Sequence, residues 1–303
     1  MGINRVGFLT ALTFTLAVSL PAAGGTITVE AGGNLQAALD NAAAGDTIFL
    51  QAGATFIGNF VVRSGKVSLT IRSSAPDTLL PAAGQRTSPQ YSAYLPKLKS
   101  PNNVAALTIQ PGASYITLLH LEVLPASNGS SSLIELGYVD SRQTTIGQAP
   151  HHLVLDRLLV TIPATQAQKR GIALNSASTQ VLGCHLAGLK FAGADSQAIA
   201  GWNGPGPFVI ENNYLEGAGE NLMFGGSDPT IPGLVPTGIE IRRNHFSKPI
   251  AWKGSSWTVK EPSRAEECTG RGHRGQPARV QLARRAAGLL GSVHAPQSVR
   301  RQQ

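Results

Sequence analysis

The sequence predicts an all-β chain wound as a parallel β-helix, a solenoid with a short capping helix at its start. Three observations lead there. Apolar residues alternate over short stretches, similar stretches return about every 30 residues, and Gly, Pro, Ser and Asn fill the intervals. With 303 residues and 42% hydrophobic content, the chain is long enough for a large core. Its 34 glycines and 19 prolines lack a three-residue period, which excludes collagen and indicates many turns.

The repeat is visible in five segments, at 116–123, 153–160, 180–187, 208–215 and 239–246. Each runs apolar, any, apolar, two residues, a turn or inward position, any, apolar. Their second apolar positions, Leu118, Leu155, Leu182, Ile210 and Ile241, are spaced by 37, 27, 28 and 31 residues. Alternation with period two makes each segment a short strand with one buried face. A β-sandwich shows turn signals about every 8–12 residues, so the longer interval favours a full solenoid coil. Asn213 and Asn244 occupy matching positions after their strands. An asparagine there tolerates left-handed backbone and bonds to the next coil, a structural role.

The elements follow in order. Residues 1–24 read as a secretory signal peptide: Arg5, an uncharged run over 6–20, then small residues, with cleavage between Ala22 and Gly25. The run is short for a bilayer span of about 20 residues. The mature chain is therefore expected to be secreted or periplasmic, without membrane insertion. Thr26 to Val29 reads as a strand, Asn34 as an N-cap, and Leu35, Ala38, Leu39 and Ala42 as one face of a helix covering the open first coil. Gly45 and Asp46 turn the chain into strands at 47–50, 59–62 and 66–71. The β-helix domain is expected over residues 25–260.

Beyond Lys260 the composition changes. The formal net charge of +8 suggests a polyanion partner, but residues 261–303 hold eight Arg, no Lys and three Glu, or +5. Residues 1–260 carry only +3, which argues against nucleic acid as the partner. The tail also has no Phe, Tyr, Trp, Asp or Asn. One reading is a disordered, polyanion-binding Arg-rich tail. The other is a frameshift: deleting one nucleotide after the Lys260 codon permits Asn-Leu-Leu-Glu-Leu-Lys-Asn-Ala-Arg-Asp-Val-Val-Ile-Glu-Gly-Asn, which restores the strand pattern. A β-helix cut short in this way is expected to be association-prone and inactive. The two cysteines, Cys184 and Cys268, are too few for a disulfide scaffold.

The stretch from Gly33 through Gly45-Asp46-Thr47-Ile48-Phe49-Leu50, with Ala52-Gly-Ala-Thr-Phe56 and Gly58-Asn-Phe60, resembles the cap and first coil of secreted bacterial pectate-lyase-like, right-handed parallel β-helix proteins. Residues 211–226 and 239–246 are also similar to that group. The resemblance covers about residues 25–260 and is specific for fold and much less so for activity, because the same scaffold carries lyases, hydrolases, epimerases and noncatalytic adhesion modules.

It implies a choice of chemistries. Polysaccharide lyases of this fold cleave uronic-acid chains by β-elimination, with a cation neutralising the carboxylate and an Arg or Lys taking the C5 proton. That requires carboxylates for Ca²⁺ beside a base on one exposed face. Asp156, Glu211 and Glu240 are the expected Ca²⁺ ligands and Arg242 or Arg243 the expected base, with Arg157, Tyr214 and Trp202 as contacts to an acidic polysaccharide. Trp252 and Trp257 are further stacking candidates or seals for the last coil. No local segment matches a lyase catalytic motif. A noncatalytic carbohydrate-binding or surface-associated module therefore stands as the alternative. Glu216, Glu220 and Asp228, around the Gly/Pro-rich excursion at 225–238, form a weaker cation candidate. His151 and His152 are adjacent on a strand and are expected to point to opposite faces, a poor metal pair.

Overall fold

The computed structural model describes residues 24–126 and 129–260, with the backbone of two short strands, Ser263–Ala265 and Gln281–Leu282. The expected signal peptide and most of the tail lie outside the described residues. Three parallel sheets wrap one core, of nine, seven and seven strands, and each complete coil supplies one strand to each, the first and last strands of the first sheet standing alone. One coil runs Ala177–Leu182, His185–Leu189, Gln197–Gly201, and the next Gly206–Glu211, Tyr214–Gly217, Glu220–Phe224. Every pairing between the coils is parallel. The architecture is a right-handed parallel β-helix.

Register follows the inward aliphatics. In the first sheet, Ile71, Leu118, Leu155, Val181, Ile210 and Ile241 stack directly, one per coil. Burial of each such side chain stabilises by about 1.5–3 kcal/mol. The stacked residue of the third repeat is thus Val181 and not Leu182, a one-residue correction. Leu182 lies on the outer face, between Asp156 and Glu211. The tolerant aliphatic run at 181–182 hides this slip in the sequence, because either residue could serve inside.

The cap forms as expected. Helix Leu35–Asn41 begins at Asn34, whose side chain accepts from the Ala37 amide at 3.0 Å. Leu35 and Leu39 are buried against the first coil, so the helix hides an end that would otherwise be apolar and unpaired.

Between the first and second sheets, the five coils that begin with strands at 114–119, 151–156, 177–182, 206–211 and 239–242 turn a corner with one left-handed residue followed by one inward residue. The left-handed positions are His120, Arg157, Gly183, Asn212 and Arg243. The residue after each points in: Leu121, Leu158 and Cys184, then Asn213 and Asn244. The left-handed residue is therefore the one before each asparagine. Asn213 is fully buried. Its Oδ1 accepts from Cys184 N at 2.8 Å, and its Nδ2 donates to Val181 O and Asn244 Oδ1, each at 2.9 Å.

An excursion at 74–96 crosses this corner and is pinned to successive coils. Pro81 O accepts from Arg157 Nη1 at 2.8 Å, Thr87 N donates to Gly183 O at 2.9 Å, and Arg86 Nε donates to Asn212 O at 2.8 Å. Gly183 has no room for more, since a Cβ there would sit 2.5 Å from Gln85 O. Among the described residues no helix is long and apolar enough to cross a membrane.

Candidate functional site

The residues singled out from the sequence fall in three separate places. Asp156 and Arg157 sit at the first corner, where both carboxylate oxygens accept from Arg157, Oδ1 from Nε at 2.9 Å and Oδ2 from Nη2 at 2.6 Å. Arg157 also bonds to Pro81 O and is only 8% exposed. The excursion covers it, so it holds the corner together and does not face a ligand.

Glu211 lies two rungs further on, about 9.6 Å away at the usual strand spacing. Arg242 ties it to Glu240, donating from Nε to Glu211 Oε2 at 2.6 Å and from Nη1 to Glu240 Oε2 at 2.7 Å. Arg243 pairs with Glu211 as well. An arginine that takes a proton has to be withdrawn from water and from carboxylates. Arg242 and Arg243 are exposed and ion-paired with carboxylates, which suits a surface clasp.

Tyr214 projects from the second sheet, but its ring faces are taken. His185 stacks on one side at 4.6 Å between centroids, and His245 lies against it at 5.0 Å. Its hydroxyl donates to Glu216. Glu216 and Glu220 are on different sheets, so the cation candidate around 225–238 does not assemble. Trp252 is buried.

Trp202 leads to the most developed site, on the outer face of the third sheet. One cross-strand row there is Ser132, Arg170, Gln197, Glu220, and the next is Thr108, Glu135, Ala173, Ala200, Met223. Ala173 and Ala200 are buried. The Arg170 guanidinium lies over the Trp202 ring, with Cζ 4.8 Å from the centroid. Arg170 donates from Nε and Nη2 to Gln197 Oε1 at 3.2 and 3.0 Å, and Gln197 Nε2 donates to Glu220 Oε2 at 3.0 Å. Lys260 Nζ lies 3.9 Å from Glu220 Oε1 and 2.5 Å from Asp195 Oδ2.

Loops at 137–150 and 225–238 wall one side. Buried Asn203 knits them, its Nδ2 donating to Tyr138 O at 2.8 Å and Thr230 Oγ1 at 2.7 Å, and its Oδ1 accepting from Ile231 N at 3.0 Å. The Gly/Pro-rich excursion thus serves as a scaffolded wall. On the 137–150 loop Arg142 stacks over Tyr138 at 3.3 Å and is ion-paired with Asp140.

Burial shapes the electrostatics of this face. It pushes the Arg170 guanidinium down to about 10, partly offset by Glu135 and Glu220. It also raises the Glu135 carboxyl above the usual carboxylate range, against the opposing pull of Arg142. Two oppositely charged groups, both desolvated on one face of the solenoid, fit the pattern of a binding or reactive site. Neither Arg170 nor Glu135 stood out in the sequence. Strands of the third sheet such as Gln197–Gly201 and Glu220–Phe224 are buried throughout, so they lack the alternation that marks an outward residue.

The donor set does not fit the expected Ca²⁺. Among the described residues no group of three His, Cys, Asp or Glu side chains is placed to hold a metal ion. Asp156 is separated from Glu211 by Leu182, and all three expected ligands are satisfied by arginines.

The chain is thus a right-handed parallel β-helix with a walled, aromatic and charged outer face. Comparison with solved structures finds an alginate lyase from Paenibacillus sp. str. FPU-7, at 17% identity and a TM-score of 0.37, covering 74% of this chain and 75% of that one. No protein-family model and no curated protein matches the chain.

Proposed function

We propose that this chain binds an acidic polysaccharide across the outer face of its third sheet, with a uronate carboxylate on Arg170 and a sugar ring against Trp202. The observation that carries the reading is the Arg170 guanidinium lying over Trp202 in a half-buried, loop-walled site. A desolvated guanidinium binds a carboxylate more strongly than an exposed one and presents a fork of donors to it. An indole face adds apolar area for a pyranose.

A second reading, cleavage by β-elimination, is favoured by Glu135. With Arg170 neutralising the uronate carboxylate, Glu135 takes the C5 proton. The C5–H electron pair becomes the C4=C5 double bond, the C4–O4 bond breaks, and O4 leaves with a proton from solvent. A carboxyl raised toward working pH is the better base for this step. No step is routed through Ca²⁺.

The test is binding and turnover of polygalacturonate and alginate by the full chain, with and without Ca²⁺. Replacing Arg170 by Ala is expected to weaken binding roughly 10-fold to 100-fold, from the loss of a charge-assisted hydrogen bond worth about 1.5–3 kcal/mol. Trp202→Ala is expected to weaken it about 10-fold. Ultraviolet absorbance from unsaturated ends that disappears in Glu135→Gln establishes cleavage. Binding with no absorbance leaves the noncatalytic module. Equal affinity for uronates in wild type, Arg170→Ala and Trp202→Ala ends the proposal.

A further inference from the structure

The outer face of the first sheet holds a cleft of a different kind. Its volume is about 360 Å³, and it is lined by Tyr115, His152, Ser178, Gln180, Pro207 and Val209 among others. Volumes of about 300–1,000 Å³ suit small-molecule sites. No Asp, Glu, Lys or Arg lines it.

The cleft arises from a kink repeated at one strand position. Ser68, Tyr115, His152 and Ser178 all have left-handed backbone, with φ of 57°, 57°, 55° and 46°. This is uncommon for residues with side chains, and for a bulky tyrosine it marks a site the surrounding structure over-determines. The kink breaks the alternation expected of a strand. His151 and His152 therefore turn toward each other, with their Nδ1 atoms 2.7 Å apart, where opposite faces were predicted.

The same kink lines up a row of side chains along the solenoid: Ser68, Tyr115, His152, Ser178, Pro207. Tyr115 and His152 stack at 4.5 Å with 18° between their planes. The stack then stops, because the next rung carries only Ser178, and Pro207 closes the far side. The gap is one ring thick at rungs spaced about 4.8 Å. At this rung Ser178 and Gln180 form no side-chain hydrogen bond among the described residues, and Val154 and Val209 flank Gln180 on the neighbouring rungs.

We infer that this gap is a second binding site, one for a neutral pyranose ring of a glycan. Such a ring, inserted at the Ser178 rung, continues the stack between the His152 face and Pro207. It offers apolar C–H faces to both walls and hydroxyls to Ser178 and Gln180. The absence of charged lining residues selects a neutral sugar over the uronate proposed for the third sheet, so the two sites differ in ligand and in location.

The test is calorimetric titration of the full chain with maltohexaose, cellohexaose, mannohexaose and xylohexaose. At least one is expected to bind. Ser178→Tyr fills the gap with a side chain that Tyr115 already carries on the same backbone conformation, and is expected to weaken that binding at least about 10-fold. His152→Ala removes one wall and is expected to do the same, while circular dichroism confirms the fold of both variants. Arg170→Ala is expected to leave this binding unchanged, which separates it from the uronate site. No binding by any of the four sugars, or undiminished binding in either first-sheet variant, overturns the inference.

Discussion

Replacing Asn213 by Ala removes the side chain that joins three consecutive coils. It breaks three hydrogen bonds, to Cys184 N, Val181 O and Asn244 Oδ1, all within 2.9 Å. At about 1 kcal/mol net for each, the direct loss is about 3 kcal/mol. Leaving the Cys184 amide buried without its acceptor raises the expected total to about 3–5 kcal/mol. The assay is equilibrium urea unfolding of the full chain followed by circular dichroism, with the slope checked against wild type. Asn213→Leu supplies the control, because Leu121 and Leu158 occupy the same inward position in earlier coils. If hydrogen bonding is the cause, the leucine variant remains at least about 2 kcal/mol less stable than wild type. A leucine variant as stable as wild type, or an alanine variant within about 1 kcal/mol of it, refutes the reasoning and makes packing volume the main source of stability at this corner.

Three further outcomes follow from buried titratable groups. Burial holds His120 and His185 down to about 4, helped by Arg157 and Arg86 respectively, against an ordinary value of 6.5. Their contribution to stability is complete above pH 6.5 and is lost as pH falls toward 4, so the urea midpoint should drop across that window and drop less in a His120→Phe, His185→Phe double variant; equal slopes in the two proteins count against it. The raised Glu135 carboxyl has the opposite sign: its contribution is present below the ordinary 4.5 and is lost as pH rises through the folded value. Glu135→Gln should therefore raise the midpoint at pH 7 and not at pH 4, and an unchanged midpoint at pH 7 sinks that assignment. Burial pushes the Cys184 thiol up to about 12, so peptide mapping should find it unlabelled by a thiol reagent in the native protein at pH 8 and labelled in urea.

Arginines of similar local sequence end in different surroundings. Arg157, Arg242 and Arg243 read as outward cations from the sequence, and Arg170 carries no local signal at all. The structure covers Arg157 with an excursion from a coil two turns earlier, and it lays Arg170 on Trp202 from the neighbouring coil. It leaves Arg242 and Arg243 exposed on a clasp with Glu211. Long connections decide these outcomes, and their paths depend on contacts between residues 27 to 157 positions apart, such as Arg170 with Gln197 and Arg86 with Arg243.

What the sequence by itself determined is the solenoid. Alternating apolar residues, a turn every coil, the Asn34 cap and the inward asparagines are local chemistry repeated, and local chemistry is readable residue by residue. Only the tertiary structure decided the one-residue register at Val181, the left-handed kink under Tyr115 and His152, and the meeting of Arg170, Trp202 and Glu135. Each depends on which side chain the adjacent coil places about 4.8 Å away, one strand spacing. That neighbour is some thirty positions distant in the chain and leaves no local mark on it.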